Sequence, residues 1–240
     1  MTVPVNAPVI TAVTNAASHS PAIAPNTWVE IDGTNLTPAG DTRSWQISDF
    51  VNSQMPTQLN GVSATVNGKS AYVSYISPTQ MNILTPPDAI QGQVQVQVTK
   101  GGIASAPVVV QAQAASPAFF VIGGGYVAAE HADGSYLGPA SLYTPARPGE
   151  TVVLFGTGFG PTSPPVTAGS AVQFAPLPTL PVIIIGGNAA TVQFAGLAGV
   201  PGEFQFNVVV PLAAQNGDNT LTAVYNGLTT QTGVLLNVAR

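Results

Sequence analysis

Two imidazoles occur in the chain, His19 and His131, and a serine-hydrolase mechanism would need one of them beside a hydroxyl and a carboxylate. His131 comes nearest, in Glu130-His131-Ala132-Asp133-Gly134-Ser135, where acid, base and hydroxyl follow one another. Asp-Gly-Ser is a turn sequence, however, and residues adjacent in one loop rarely converge on a point. No strand-to-helix elbow presents Ser135 as a nucleophile. The expectation is a turn, and with so few titratable groups to share general acid and base duties the chain reads as no enzyme.

Metal and phosphate chemistry fare no better. The ten acids are dispersed without an Asp-x-Asp-x-Asp run, so a calcium site would have to be assembled across the fold, from Glu130 and Asp133 or from Asp41 with Asp49. The expectation is that these acids are solvated turn formers, that no metal is bound and that no cofactor is needed. Gly123-Gly124-Gly125 and Gly156-Thr157-Gly158-Phe159-Gly160 are glycine clusters, yet neither opens a helix whose N-terminus would hold a phosphate, and both read as turns or bulges. An intramolecular Lys–Asn cross-link would have to use Lys69 or Lys100. Both lie in hairpin turns rather than on a buried strand beside an acid.

Aromatic rings are the remaining candidates: Trp28, Trp45, Tyr72, Tyr75, Phe119, Phe120, Tyr126, Tyr136 and Tyr143. Exposed indole and phenol rings can stack on a sugar. Trp45, in the polar loop 41–52, is the first choice, with Tyr72, Tyr75, Tyr126 and Tyr136 as further ligand-binding candidates. Trp28, on an alternating segment, is expected to pack in a core or between domains.

The elements that must position these residues are strands. Trp28-Val29-Glu30-Ile31 alternates, as does Val94-Gln95-Val96-Gln97-Val98, the period of a half-buried strand. With 25 Gly and 22 Pro, no window holds a helical stripe, and the chain is predicted to be all-β.

The chain also repeats itself. Pro25-Asn26-Thr27-Trp28-Val29-Glu30-Ile31-Asp32-Gly33-Thr34-Asn35-Leu36 has the pattern of Pro148-Gly149-Glu150-Thr151-Val152-Val153-Leu154-Phe155-Gly156-Thr157-Gly158-Phe159. Further on, Val66-Asn67-Gly68-Lys69 matches Ile185-Gly186-Gly187-Asn188, each a tight glycine turn between strands. Gln80-Met81-Asn82 then matches Gln205-Phe206-Asn207, and each half closes on a hairpin, around Gly101-Gly102 and around Asn226-Gly227. Matched blocks in one order, roughly 120 residues apart, indicate a duplicated domain of ordinary size. Short strands with frequent turn signals predict two tandem β-sandwiches. Residues 16–115 form the first and 116–240 the second, joined by a short Pro-containing linker that limits flexing. Residues 1–15 are expected to be an extended segment or an extra strand, free to pair with the sheet edge of a neighbouring copy.

The block from Pro25 to Leu36 resembles the opening strands of IPT/TIG-type immunoglobulin-like domains. Together with Gly61-Val62-Ser63-Ala64-Thr65-Val66-Asn67-Gly68, Ile76-Ser77-Pro78-Thr79-Gln80-Met81-Asn82 and residues 151–165, it is similar to an uncharacterised tandem module at the C-termini of large secreted bacterial proteins. The resemblance spans residues 9–238. It implies an extracellular or cell-surface setting and a supporting role beside other domains, and it supplies no catalytic residues.

Composition agrees with such a role. Of 240 residues, 45% are hydrophobic and only 6% charged, against about 25% charged in ordinary soluble domains. The surface is left to Thr, Ser, Asn and Gln, and a net charge of -5 keeps copies only weakly apart. Five scattered basic residues cannot follow a run of phosphates, which excludes nucleic acid as a partner. Without cysteine there is no disulfide and no thiol nucleophile. The opening residues lack the basic and long apolar regions of a secretory signal, and the apolar window 119–129 is too short to span a bilayer. The expectation is a structural or adhesive protein, a spacer or self-assembling filament subunit, whose partners are copies of itself or neighbouring surface-protein domains. A carbohydrate-binding module taking a polysaccharide is the alternative.

Overall fold

A computed structural model describes residues 7–240. Apart from two short 3-10 turns, Ile47–Asp49 and Gly123–Gly125, all regular structure among them is β-strand. The chain folds into two tandem immunoglobulin-like β-sandwiches.

In the first sandwich one sheet runs in the spatial order Val9–Asn15, Trp28–Thr34, Gln80–Leu84, Tyr72–Ile76, Arg43–Ser44. The facing sheet runs Ala22–Ile23, Val108–Ala112, Gly92–Lys100, Val62–Val66, Gln58–Leu59. The second sandwich repeats the first of these orders and the four-strand centre of the other, with Val121–Ile122 added at one edge and, among the described residues, no counterpart of Gln58–Leu59. Its sheets run Ala118–Phe119, Thr151–Thr157, Phe204–Val209, Thr191–Gly199, Gln173–Pro176, and Val121–Ile122, Tyr126–Val127, Leu235–Val238, Gly217–Tyr225, Val182–Ile185, Asn188–Ala189. Details recur as well. Each sandwich has a parallel strand pairing at the equivalent place, Ala22–Ile23 beside Val108–Ala112 and Tyr126–Val127 beside Leu235–Val238. Each also has a register shift in equivalent strands, between Val73 and Tyr75 and between Val192 and Phe194.

The repeated residues have physical reasons to recur. A Cβ at Gly33 would lie 2.2 Å from the Val9 carbonyl oxygen, and one at Gly156 would lie 2.5 Å from that of Ala118. Both glycines let the first strand of their sandwich close on its neighbour. Leu36 and Phe159, three residues on, are fully buried plugs. In Gln-x-Asn the Gln80 amide donates to Asn82 Oδ1 at 3.0 Å, and Gln205 does the same to Asn207 at 2.8 Å, while Met81 and Phe206 between them point into the cores.

Alternation places Val29, Ile31, Val94, Val96 and Val98 in the first core. The second core is aromatic: Phe159 meets Phe206 at 4.5 Å, Phe204 at 5.7 Å and Phe119 at 6.2 Å between ring centroids. Burying each such ring contributes about 1.5–3 kcal/mol.

Residues 1–6 of the N-terminal segment lie outside the described residues. Val9–Asn15 pairs antiparallel with Trp28–Thr34 of its own sandwich, so this part of the segment completes a sheet within the chain.

Candidate binding cleft at the junction of the sandwiches

The glycines of residues 156–160 seat the linker. Gly158 has φ +79°, and a Cβ there would lie 1.9 Å from the Ser116 carbonyl oxygen; a Cβ at Gly160, at φ +84°, would lie 2.6 Å from that of Ala114. Ser116 N donates to the Gly158 carbonyl at 2.7 Å, Asn15 Nδ2 to the Ser116 carbonyl at 2.8 Å, and Ser116 Oγ to the Ala22 carbonyl at 2.8 Å. The sequence reading of this cluster as turns therefore missed its main purpose, close approach between two backbones.

Thr157 Oγ accepts from Trp28 N at 3.1 Å and donates to the Gly202 carbonyl at 2.9 Å. Asn26 Nδ2 donates to Gln173 Oε1 at 2.9 Å, and Gly202 N donates to the same oxygen at 3.1 Å. Further out, Met55 N donates to the Gly169 carbonyl and Ala171 N to that of Ser53, at 2.7 and 2.8 Å. Asn15, Asn26, Thr157 and Gln173 are all buried and all bonded, which is the condition on which polar groups leave water without a net penalty.

Beside this junction lies a cleft of about 410 Å³. Trp28, Trp45, Ser74 and Asn82 line it from the first sandwich, and Val200 and Glu203 from the second; Ala16 and Phe120 complete it. Trp28 Nε1 donates to the Pro201 carbonyl at 3.0 Å, which anchors the ring across the junction. Trp45 meets Trp28 edge-on, with centroids 5.7 Å apart and planes at 76°, and has Phe50 at 5.0 Å on another side. Its backbone is set by the bond from Trp45 N to the Ser74 carbonyl at 2.8 Å, and its loop by the ion pair of Arg43 with Asp49, which also accepts from Gln46 N. Burial, aided by the charge of Glu130, pushes the Glu203 carboxyl above the usual carboxylate range.

The remaining aromatic candidates do not join Trp45 in one site. Tyr72 packs against Gly169 at the junction, where a Cβ would lie 3.1 Å from its ring, and burial, then the charge of Asp88, raises its phenol pKa. Tyr75 is half-buried opposite Asn82. Tyr126 donates to Asp218 Oδ2 at 3.1 Å, which raises its pKa and ties it to the second sandwich. Tyr136 is 66% exposed and meets Tyr143 at 5.6 Å over a separate hollow of about 360 Å³. Phe119, fully buried, is a core residue. Sequence alone did not single out Glu203, because nothing in its neighbourhood reveals that the fold brings it opposite Trp45.

His131 lines a hollow of about 540 Å³, with its chemistry already committed. Nδ1 lies 2.5 Å from Glu150 Oε1 and Nε2 lies 3.1 Å from the Thr144 carbonyl. Two acceptors leave neither nitrogen as a base. Burial opposes the charge, but the bonds to Glu150 and Thr144 and the nearby acids outweigh it, and the pKa is raised. Ser135 Oγ donates to Asp133 at 2.6 Å instead, so no triad forms. The hollow is a loop clasp, with Glu150 Oε2 also accepting from Arg147 N at 2.8 Å. Lys69 pairs with Asp88 at 2.7 Å, and Lys100 Nζ donates to Asn35 Oδ1 at 2.5 Å on the exposed surface. Among the described residues no three His, Asp or Glu side chains gather as a metal site, and no helix is long and apolar enough to cross a membrane.

Residues 8–112 match the model of the IPT/TIG domain family. No curated protein matches the chain in sequence. Among solved structures the chain is similar to the plexin A4 extracellular region, at 12% identity and a TM-score of 0.32 over 97% of this chain and 18% of that one. It is similar to SGBP-B of a Bacteroides ovatus mixed-linkage glucan utilization locus, solved with a mixed-linkage heptasaccharide, at 10% identity and a TM-score of 0.39 over 98% and 47%. Domains 5–6 of the S-layer protein SbsC follow at 15% identity and a TM-score of 0.27 over 96% and 98%. The chain thus spans less than a fifth of plexin A4 and about half of SGBP-B.

Proposed function

We propose that the chain is a non-catalytic extracellular module whose two sandwiches act as one stiff spacer or adhesive unit of a surface-assembled protein. The observation that supports this reading is the junction, where buried, bonded Asn26, Thr157 and Gln173 link the two sandwiches. The 6% charge content favours contact with neighbouring domains or further copies through uncharged faces. Strand edges are poor routes for such contacts: Val9–Asn15 is bulged between Ile10 and Ala12, and Gln173–Pro176 ends in proline.

Scanning calorimetry tests the reading. One transition, with equal calorimetric and van't Hoff enthalpies, is expected for sandwiches that unfold together. Two resolved transitions would mean independent beads on a string.

A further inference from the structure

The junction cleft holds chemistry that packing does not use. Glu203 has no hydrogen-bond or ion-pair partner for its carboxylate among the described residues, although it is half-buried. Asn82 Oδ1 accepts from the Gln80 amide, and the Asn82 Nδ2 makes no hydrogen bond among the described residues although the side chain lines the cleft. Trp45 and Trp28 stand at 76°, so the rings do not cover each other.

We infer that this cleft binds a neutral pyranose chain, with a sugar ring against Trp45, its hydroxyls donating to Glu203 and accepting from Asn82. A pyranose with equatorial hydroxyls has an apolar C–H face for an aromatic ring and a rim of groups that both donate and accept. The cleft supplies a counterpart for each. No Lys or Arg lines it, so an anionic ligand would meet only the repulsion of Glu203. A quaternary ammonium would suit the rings and the carboxylate but would offer nothing to the Asn82 donors. The volume of about 410 Å³ falls within the about 300–1,000 Å³ of small-molecule sites. Because the walls come from both sandwiches, the ligand would bridge them. The inference does not depend on the spacer reading.

Titration of the full chain with cellohexaose, laminarihexaose, xylohexaose and mannohexaose, by calorimetry and tryptophan fluorescence, tests it. At least one should bind with Kd below about 1 mM. Trp45→Ala and the near-isosteric Glu203→Gln should each weaken that binding roughly tenfold, with unchanged circular dichroism as the folding control. Tyr126→Phe and Tyr136→Ala, outside the cleft, should leave it as it was. The inference is overturned if none of the four sugars binds at about 10 mM, if binding survives both cleft substitutions, or if choline binds where the sugars do not.

Discussion

His131 shows how a residue with catalytic credentials becomes a structural one. Its ring is held between the Glu150 carboxylate and the Thr144 carbonyl, and this stabilises the imidazolium. The folded-state pKa lies above the ordinary histidine value of about 6.5. The clasp's contribution to stability is therefore fully present below about pH 6.5 and is lost as pH rises through the raised folded value. Urea midpoints measured from pH 5 to 9 should fall across that window, and His131→Gln should abolish this part of the slope. An unchanged slope in His131→Gln would show that the ring carries no net proton on folding. Glu203 is the counterpart at the junction, a carboxyl whose raised pKa reflects burial without a partner.

At the scale of elements, strands matter less than what lies between them. Asn26 sits in the turn before Trp28–Thr34, and Gln173 opens the edge strand of the other sandwich. Their side chains exchange two bonds, at 2.9 and 3.3 Å. Asn26→Ala should destabilise the chain by about 1–3 kcal/mol by leaving a buried amide unpaired. In a double-mutant cycle with Gln173→Ala, the loss in the double variant should fall short of the sum by at least about 0.5 kcal/mol; additive losses would mean that the pair is not coupled. Much of this architecture was legible beforehand. Alternation in Trp28-Val29-Glu30-Ile31 and the glycine turns at Asn67-Gly68 and Gly186-Gly187 report local preferences, and these survive in the sheets. Trp45 also stood out, as an indole in a polar loop. Gly158, Gly160, Phe120 and Glu203 acquire their roles only from the placement of one sandwich against the other, which no local pattern encodes. The same limit applied to Tyr126 and Tyr136, whose sequence positions do not show that the first bonds Asp218 and the second meets Tyr143 over another hollow.

The whole molecule is two duplicated sandwiches joined by a buried polar seam, with an aromatic cleft opening beside it. Duplication explains why the two halves share strand order, bulges and the Gln-x-Asn ladder. The seam arises where they diverge in sequence: Gly158 and Gly160 of the second half, which seat the linker, stand where the first half has Asn35 and Thr37. The proposed role requires that seam to be stiff, and the absence of native cysteine makes its stiffness accessible to spin labelling. Ser70→Cys and Thr229→Cys place labels at exposed sites, one in each sandwich, for pulsed electron–electron double resonance. A single narrow distance distribution, no broader than that of two labels within one sandwich, is the predicted result. A broad or multimodal distribution would contradict it and would return the two sandwiches to independent motion about their linker.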